Sequence, residues 1–454
     1  MDKGHILLVT FPGQGHINPS LQFAKRMVAR GVKVTFATSL SAIQRMNKTT
    51  PTPHGLTLVP FSDGYDNGFK AEEIKEVASA FRFHGSPAVA NLINASADEG
   101  RPITRVVYTT FIPWVAEVTH DLHIPSTLLW IQPAALLDIF YYYFNGYADV
   151  IKKSSRDPFC PIELPGLPSL TSRDFPSFLL HSVDAHDFAL LEFKKHVEIL
   201  DAQPNPQVLV NTIDALESNT LRAIKKLNMI PIGPLIPLAF LDGKYPSDTS
   251  NEGEYVEWLN SKPESSVVYI SFGSILVLSK KQREEMAHGL LESRRPFLWV
   301  VRKNDGFGEN FENEISCMEV LEKQGMMVPW CSQVEVLSHP SLGCFVTHCG
   351  WNSTLEGLVF GVPMVAFPGQ IDQETNAKLI TDVWETGVRV TVNEERIAER
   401  EEFKRCIELV MGDGEKGKEM RGNAKKWKEL AREAVKEGGS SDMNLKAFVS
   451  EVGN

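Results

Sequence analysis

Short apolar runs that end in turn residues and lead into helical patterns direct this chain toward an α/β fold. The first run, Ile6 to Phe11, is rich in Ile, Leu and Val and ends in Pro12-Gly13-Gln14-Gly15-His16. Asn18-Pro19 then reads as a helix start, with Asn as N-cap and Pro in the first turn. Leu21, Ala24, Met27 and Val28 share one helical face, Gly31 follows as a stop, and Val32 to Ala37 resumes as a strand. Strand, helix and strand within about thirty residues make a βαβ unit. Further strands are expected at Arg105 to Tyr108, Thr127 to Trp130 and Val208 to Asn211. Their continuous apolar character fits a parallel sheet covered on both faces.

At 454 residues the chain is too long for one compact core, so two or three domains are expected. Residues 1–235 read as one doubly wound α/β domain. The composition then changes. Pro231, Gly233, Pro234 and Pro237 precede a polar run, Asp242 to Gly253, and 236–253 is the best linker. A second α/β series occupies 254–435. It has strands at Val267 to Phe272, Phe297 to Val301, Gly343 to Thr347 and Val362 to Phe367, and helices at Lys280 to Glu292 and Asn352 to Phe360. Glu415 to Lys436 is a long charged helix with an apolar seam.

The net charge of −11 argues against nucleic acid as a partner, because phosphate binding needs a basic face. The most apolar long run, Ser126 to Phe144, is interrupted by Gln132, Pro133 and Asp138, so no membrane partner is expected. The N-terminus passes into the first strand without a signal-peptide pattern, and a cytoplasmic protein is expected. Cys344 and Cys349 flank His348, yet no second ligand pair follows at zinc-site spacing; buried free thiols are the better reading.

The chemistry concentrates in residues 330–373. A strand ending at Thr347 runs into a helix opening near Asn352. The first N–H groups of a helix lack internal partners and carry partial positive charge, so a pyrophosphate is well placed there. Asn352 and Ser353 add donors, and His348 can donate to a phosphate oxygen. Taken alone, Ser353-x-x-Glu356 also fits a simple capping box. The flanking residues favour a ligand. Trp330 offers a flat face to a base. Gln333 and Glu356 can bond hydroxyls, and Asp372 with Gln373 pairs an acceptor with an amide, as sugar hydroxyls need.

These residues resemble the plant secondary product glycosyltransferase box, the donor-binding signature of plant family 1 UDP-glycosyltransferases. The landmarks are Trp330-Cys331-x-Gln333, His348-Cys349-Gly350-Trp351-Asn352-Ser353, Glu356 and Asp372-Gln373. Pro12-x-Gln14-Gly15-His16-x-Asn18-Pro19 and Ser271-Phe272-Gly273-Ser274 match as well, so the resemblance covers essentially the whole chain. Leu129 to Pro133 and the aromatic run Tyr141 to Tyr147 are similar to one branch, that of anthocyanin 5-O-glucosyltransferase-like and crocetin glucosyltransferase-like enzymes. Core packing also explains most of those rings.

The resemblance implies the GT-B fold, two Rossmann-like domains facing across a cleft, with residues 436–454 packing back toward the first domain. It implies UDP-glucose as donor. Trp330 would stack the uracil and the Cys331 backbone would pair with it. Gln333 and Glu356 would hold the ribose, and His348, Asn352, Ser353 and Ser274 the phosphates. Trp351, Asp372 and Gln373 would hold the hexose, Gln373 favouring glucose. No metal and no cofactor is expected, since no Asp-x-Asp is present and the helix terminus with His348 can stabilise departing UDP. A monomer is expected.

His16, read as lying on the loop after the first strand, would be the general base of an inverting transfer. Relatives commonly carry an Asp where this chain has Thr109 in Tyr108-Thr109-Thr110-Phe111. A hydroxyl orients an imidazole but cannot neutralise imidazolium, so an acidic acceptor, a phenol or a carboxylic acid, is expected. Acceptor contacts are expected from Phe11, His16, Thr109, Trp114, Gln132, Gln370 and Ile371. The alternatives are glucosyl-ester formation on a carboxylic acid, and a catalytically silent nucleotide-sugar-binding protein.

Overall fold

The structure is a computed structural model. It describes residues 3–46, 52–68, 73–154, 157, 159–180, 187–241, 253–274, 276–302 and 315–453. The chain divides into two compact units: residues 1–236 with 433–454, and residues 237–432. Of the expected linker at 236–253, residues 242–252 lie outside the described residues.

The first unit holds a parallel sheet of β1 (His5–Val9), β2 (Lys33–Ser39), β3 (Leu56–Phe61), β4 (Arg105–Thr109), β5 (Ser126–Trp130), β6 (Gln207–Val210) and β7 (Asn228–Pro231). Their order is β3-β2-β1-β4-β5-β6-β7. Every residue of β1 is buried, as befits a central strand covered on both faces.

Helix α1 (Gln14–Ala29) follows β1 with Gly13 as N-cap, five residues earlier than the Asn18-Pro19 pair suggests. Pro19 lies inside the helix as its sixth residue, where its missing N–H leaves out one backbone bond. Asn18 is no cap; its Oδ1 accepts from Gln14 Nε2 at 2.8 Å. The consequence is local and matters: His16 sits in the first turn of α1 rather than on the preceding loop.

The second unit holds β8 (Val267–Ser271), β9 (Phe297–Val300), β10 (Met326–Val328), β11 (Leu342–Thr347), β12 (Met364–Ala366) and β13 (Gly387–Arg389), in the order β10-β9-β8-β11-β12-β13. All pairs are parallel. Helix α2 (Trp351–Phe360) follows β11, and α3 (Gln373–Lys378) follows β12. Four strands absent from the sequence reading, β3, β7, β10 and β13, are the four sheet edges. Edge strands are half-covered and tolerate proline, as Pro60 and Pro231 show, so their apolar signal is weak.

The last helix, α4 (Ser440–Val452), belongs to the first unit. Leu445, Phe448, Val449 and Val452 join the cluster formed by Ile6, Leu8, Phe23, Ala24 and Met27. The Phe448 ring lies 6.1 Å from that of Phe23, and the Arg105 guanidinium sits 5.6 Å from its centroid. Asp442 bridges Arg30 at 2.5 Å and Lys446 at 2.8 Å. The aromatic run Tyr141 to Tyr147 also resolves into packing. Tyr142 and Tyr143 are buried, and the hydroxyls of Tyr141 and Tyr142 donate to Asp201 and to the Pro165 carbonyl. Among the described residues no helix is long and apolar enough to cross a membrane.

Phe448→Ala should empty a site in the first unit's core and cost about 3–5 kcal/mol. Urea unfolding followed by circular dichroism should show a lower midpoint for that unit.

Candidate active site

Parallel strands present their carboxyl ends on one side, and a crevice opens where the strand order reverses. In the second unit that point lies between β8 and β11. Gly273 and Ser274 follow β8; His348, Cys349 and Gly350 follow β11. The His348 ring fills the space between the two segments. A Cβ on either Gly273 or Gly350 would stand 2.5 Å from its Nε2, so both positions need glycine. Its Nδ1 is buried with no partner. Burial, and secondarily the charge of Arg302, lowers its pKa, with a backbone bond to Ser271 opposing the shift. The ring is therefore neutral at physiological pH in the ligand-free protein.

Helix α2 starts with Gly350 as N-cap, without a side-chain cap and without an acid in its first turn. The capping-box alternative is not realised. Ser353 Oγ and Glu356 Oε2 instead accept from Gln333 Nε2, at 2.8 and 2.7 Å. Tyr269 orients that amide by donating to Gln333 Oε1 at 3.4 Å. Burial raises the Glu356 pKa, partly countered by Gln333. Beside this cluster Trp330 is 69% exposed. Cys331 is buried against the Tyr269 hydroxyl.

Asp372 stands at the N-cap position of α3 and is buried. Burial pushes its pKa up to about 6, against hydrogen bonds from Asn376 and the Trp351 backbone. Gln373 Oε1 accepts from the Gly369 and Gln370 N–H groups at 2.8 and 3.0 Å, which decides the amide's orientation and leaves its NH₂ to donate elsewhere. Gln370 and Ile371 are half-buried, and Ile371 holds φ 65°, a strained value for a β-branched residue. The Trp351 ring packs on Trp384, and the Trp351 backbone bonds Asp372. Sequence reasoning passed over Tyr269 and Asn376. The second stands one helical turn beyond Asp372, and that spacing was the available signal.

In the first unit the order reverses between β1 and β4. Phe11 and His16 follow β1, and Thr110 and Phe111 follow β4. The half-buried His16 ring lies 5.3 Å from Phe11 and 5.4 Å from Phe111. Its Nδ1 faces two hydroxyls, Thr109 Oγ1 at 3.4 Å and Thr110 Oγ1 at 3.5 Å. Thr109 also accepts the Phe11 N–H at 3.3 Å and meets Thr10 at 3.4 Å. Desolvation lowers the His16 pKa. Trp114 is a core residue, its ring against Phe81 and over Gly85. Gln132 has a buried Oε1 with no partner. Among the described residues no three His, Cys, Asp or Glu side chains gather as a metal site would.

The model of the family described as UDP-glucoronosyl and UDP-glucosyl transferase matches residues 206–422. The chain is 60% identical to the chloroplastic crocetin glucosyltransferase of Gardenia jasminoides, covering 100% of this chain and 98% of that one. It is 56% identical to the phloretin 4'-O-glucosyltransferase of Malus domestica, covering 100% and 98%. Among solved structures it resembles Os79 from O. sativa in complex with UDP, at 31% identity and a TM-score of 0.84, covering 98% of this chain and 100% of that one.

Gly350→Ala should displace the His348 ring without straining the backbone, whose φ of −60° any residue adopts. Calorimetric titration with UDP should show affinity reduced about tenfold or more, ~1.4 kcal/mol.

Proposed function

This chain belongs to the family of UDP-glucoronosyl and UDP-glucosyl transferases, and we propose that it transfers glucose from UDP-glucose, with inversion and without a metal, to a hydroxyl of a small phenolic plant metabolite. Its fold is GT-B, with two Rossmann-like units. The observation that carries the donor reading is the turn after β11. There His348 is wedged between two obligatory glycines at the sheet's order reversal, beside the start of α2, whose N-cap is a glycine. In this reading the α2 N–H groups, His348, Asn352, Ser353 and Ser274 receive the pyrophosphate. The exposed Trp330 ring takes the uracil, with the Cys331 backbone, and Gln333 and Glu356 take the ribose. Asp372 accepts from hexose hydroxyls, while Gln373 donates to them through the NH₂ its backbone contacts leave available.

The acceptor oxygen attacks the anomeric carbon opposite the phosphate. Its proton passes to His16, the new C–O bond forms, and the bond to UDP breaks, giving a β-glucoside from α-linked UDP-glucose. Phe11 and Phe111 flank His16 with aromatic walls that suit a planar acceptor. Gln132, Gln370 and Ile371 remain acceptor-contact proposals, whereas the core position of Trp114 gives it packing as its plainer role.

The groups facing His16 Nδ1 are hydroxyls, which orient the ring but do not neutralise an imidazolium. A weak base suits an acceptor that gives up its proton readily. The same observation favours a second reading, esterification of a carboxylate, which needs no proton removed at all.

His16→Ala should lower kcat on a phenol about 10²–10⁴-fold. A carboxylate acceptor of matched shape should lose far less, and equal losses would sink the distinction. Turnover of a matched alkyl alcohol should be slowest in the parent enzyme; parity with the phenol would refute the acidic-acceptor reading. Thr109→Asp places a carboxylate against Nδ1 and raises the His16 pKa. Since the base must be neutral, the acid limb of kcat/KM should move to higher pH. An unchanged pH profile would show that position 109 is not coupled to His16.

A further inference from the structure

We infer that Asn376 is a positioning residue, which sets the Asp372 carboxylate in register with the turn that follows β11. The inference rests on the proposed role of Asp372 toward the hexose and of that turn toward the pyrophosphate. Asn376 is completely buried. Its Nδ2 donates twice, to the Cys349 carbonyl at 2.8 Å and to Asp372 Oδ2 at 2.9 Å. Its Oδ1 is buried with no partner. Reversing the amide would set that oxygen against a carbonyl and a carboxylate, so the chemistry of the neighbours decides the orientation. A buried amide that leaves its carbonyl unsatisfied is retained for its two donors.

Those donors join two separate pieces of backbone. Cys349 holds φ 65°, its N–H on Thr347 Oγ1 at 3.1 Å, and its carbonyl begins the peptide that leads into Gly350, the N-cap of α2. Asp372 stands at the N-cap position of α3, and its carboxylate takes the Trp351 N–H, from the first residue of α2. The carboxylate is thus held by its own backbone N–H, by Asn376 and by a donor that is part of the same β11–α2 connection. Serine offers one donor and aspartate at neutral pH none, so neither can serve both acceptors. Without Asn376 the turn keeps its glycines and His348, while the carboxylate loses the contact that fixes its tilt. The loss should therefore fall on the hexose and spare the nucleotide.

The test compares Asn376→Leu, which keeps the branched side-chain shape without its donors, and Asn376→Ala, with Asp372→Ala and the double variant Asp372→Ala/Asn376→Leu. UDP affinity is measured by calorimetry, and kcat and KM are measured with UDP-glucose and UDP-galactose. The expected result is UDP affinity within about twofold of the parent and KM for UDP-glucose raised about tenfold or more, with a smaller change in kcat. The preference for UDP-glucose over UDP-galactose should narrow, and Asn376→Leu should add less than about twofold once Asp372 is alanine, since coupled residues are not additive. UDP affinity falling in step with UDP-glucose, through misfolding or a displaced turn, overturns the inference; so do additive losses in the double variant, or an unchanged KM. If Asp372→Ala leaves the KM for UDP-glucose unmoved, the reading of Asp372 fails and this inference with it. If Asp372→Ala raises that KM and the Asn376 variants do not, only the role of Asn376 fails.

Discussion

Parallel pairing gathers the carboxyl ends of all strands on one side of each sheet, and one reversal of strand order in each unit opens a crevice there. The rest of the chemistry depends on those two reversals, β1 beside β4 and β8 beside β11. Each brings together segments far apart in sequence: Phe11 to His16 with Thr109 to Phe111, and Gly273 to Ser274 with His348 to Gly350. Where the order reverses, the segments leaving neighbouring strands part toward opposite faces, so side chains and backbone N–H groups can face the crevice. The two glycines around His348 show how tight the convergence is, since a single Cβ on either would collide with the ring.

The two crevices are opposite in chemical character. The second unit's crevice is polar and pre-ordered. Gln333 already spans Ser353 and Glu356, Gln373 already has its carbonyl spent on backbone N–H groups, and Asp372 is already clamped. Such groups need little rearrangement to meet hydroxyls, which limits the entropy lost on binding. In the first unit the surroundings of His16 are apolar rings and neutral hydroxyls. Desolvation there works against the imidazolium, and the base is held neutral and ready at the expense of its strength.

Most of the central architecture was legible in the sequence, for a physical reason. A strand buried on both faces is apolar at every position, and β1, β8 and β11 were visible on that ground. The edge strands β3, β7, β10 and β13 carry no such run, because one side of each meets solvent or loop. The start of α1 was misread because Asn18-Pro19 imitates an N-terminus; the helix begins at Gln14 and carries Pro19 inside it with one backbone bond left out. Ser353 and Glu356 offered two readings of equal spacing, cap or ligand contact. Only the distance to Gln333, twenty residues upstream of Ser353, separates them.

By itself the sequence determined the fold class, the two sheets' central strands, the family resemblance and the residue types gathered around the turn after β11. These follow from local pattern, which periodicity, turn chemistry and motif spacing record along the chain. Tertiary structure alone decided which of those residues touch. It added the Thr110 hydroxyl to that of Thr109 at His16 Nδ1, put the Trp114 ring into the core, spent the Gln373 carbonyl on backbone N–H groups and brought Asn376 to Asp372 and Cys349. Contacts of that kind depend on how strands and turns remote in sequence are brought side by side, and on which polar atoms burial leaves without water. Neither is recorded in the spacing of residues along one strand or helix.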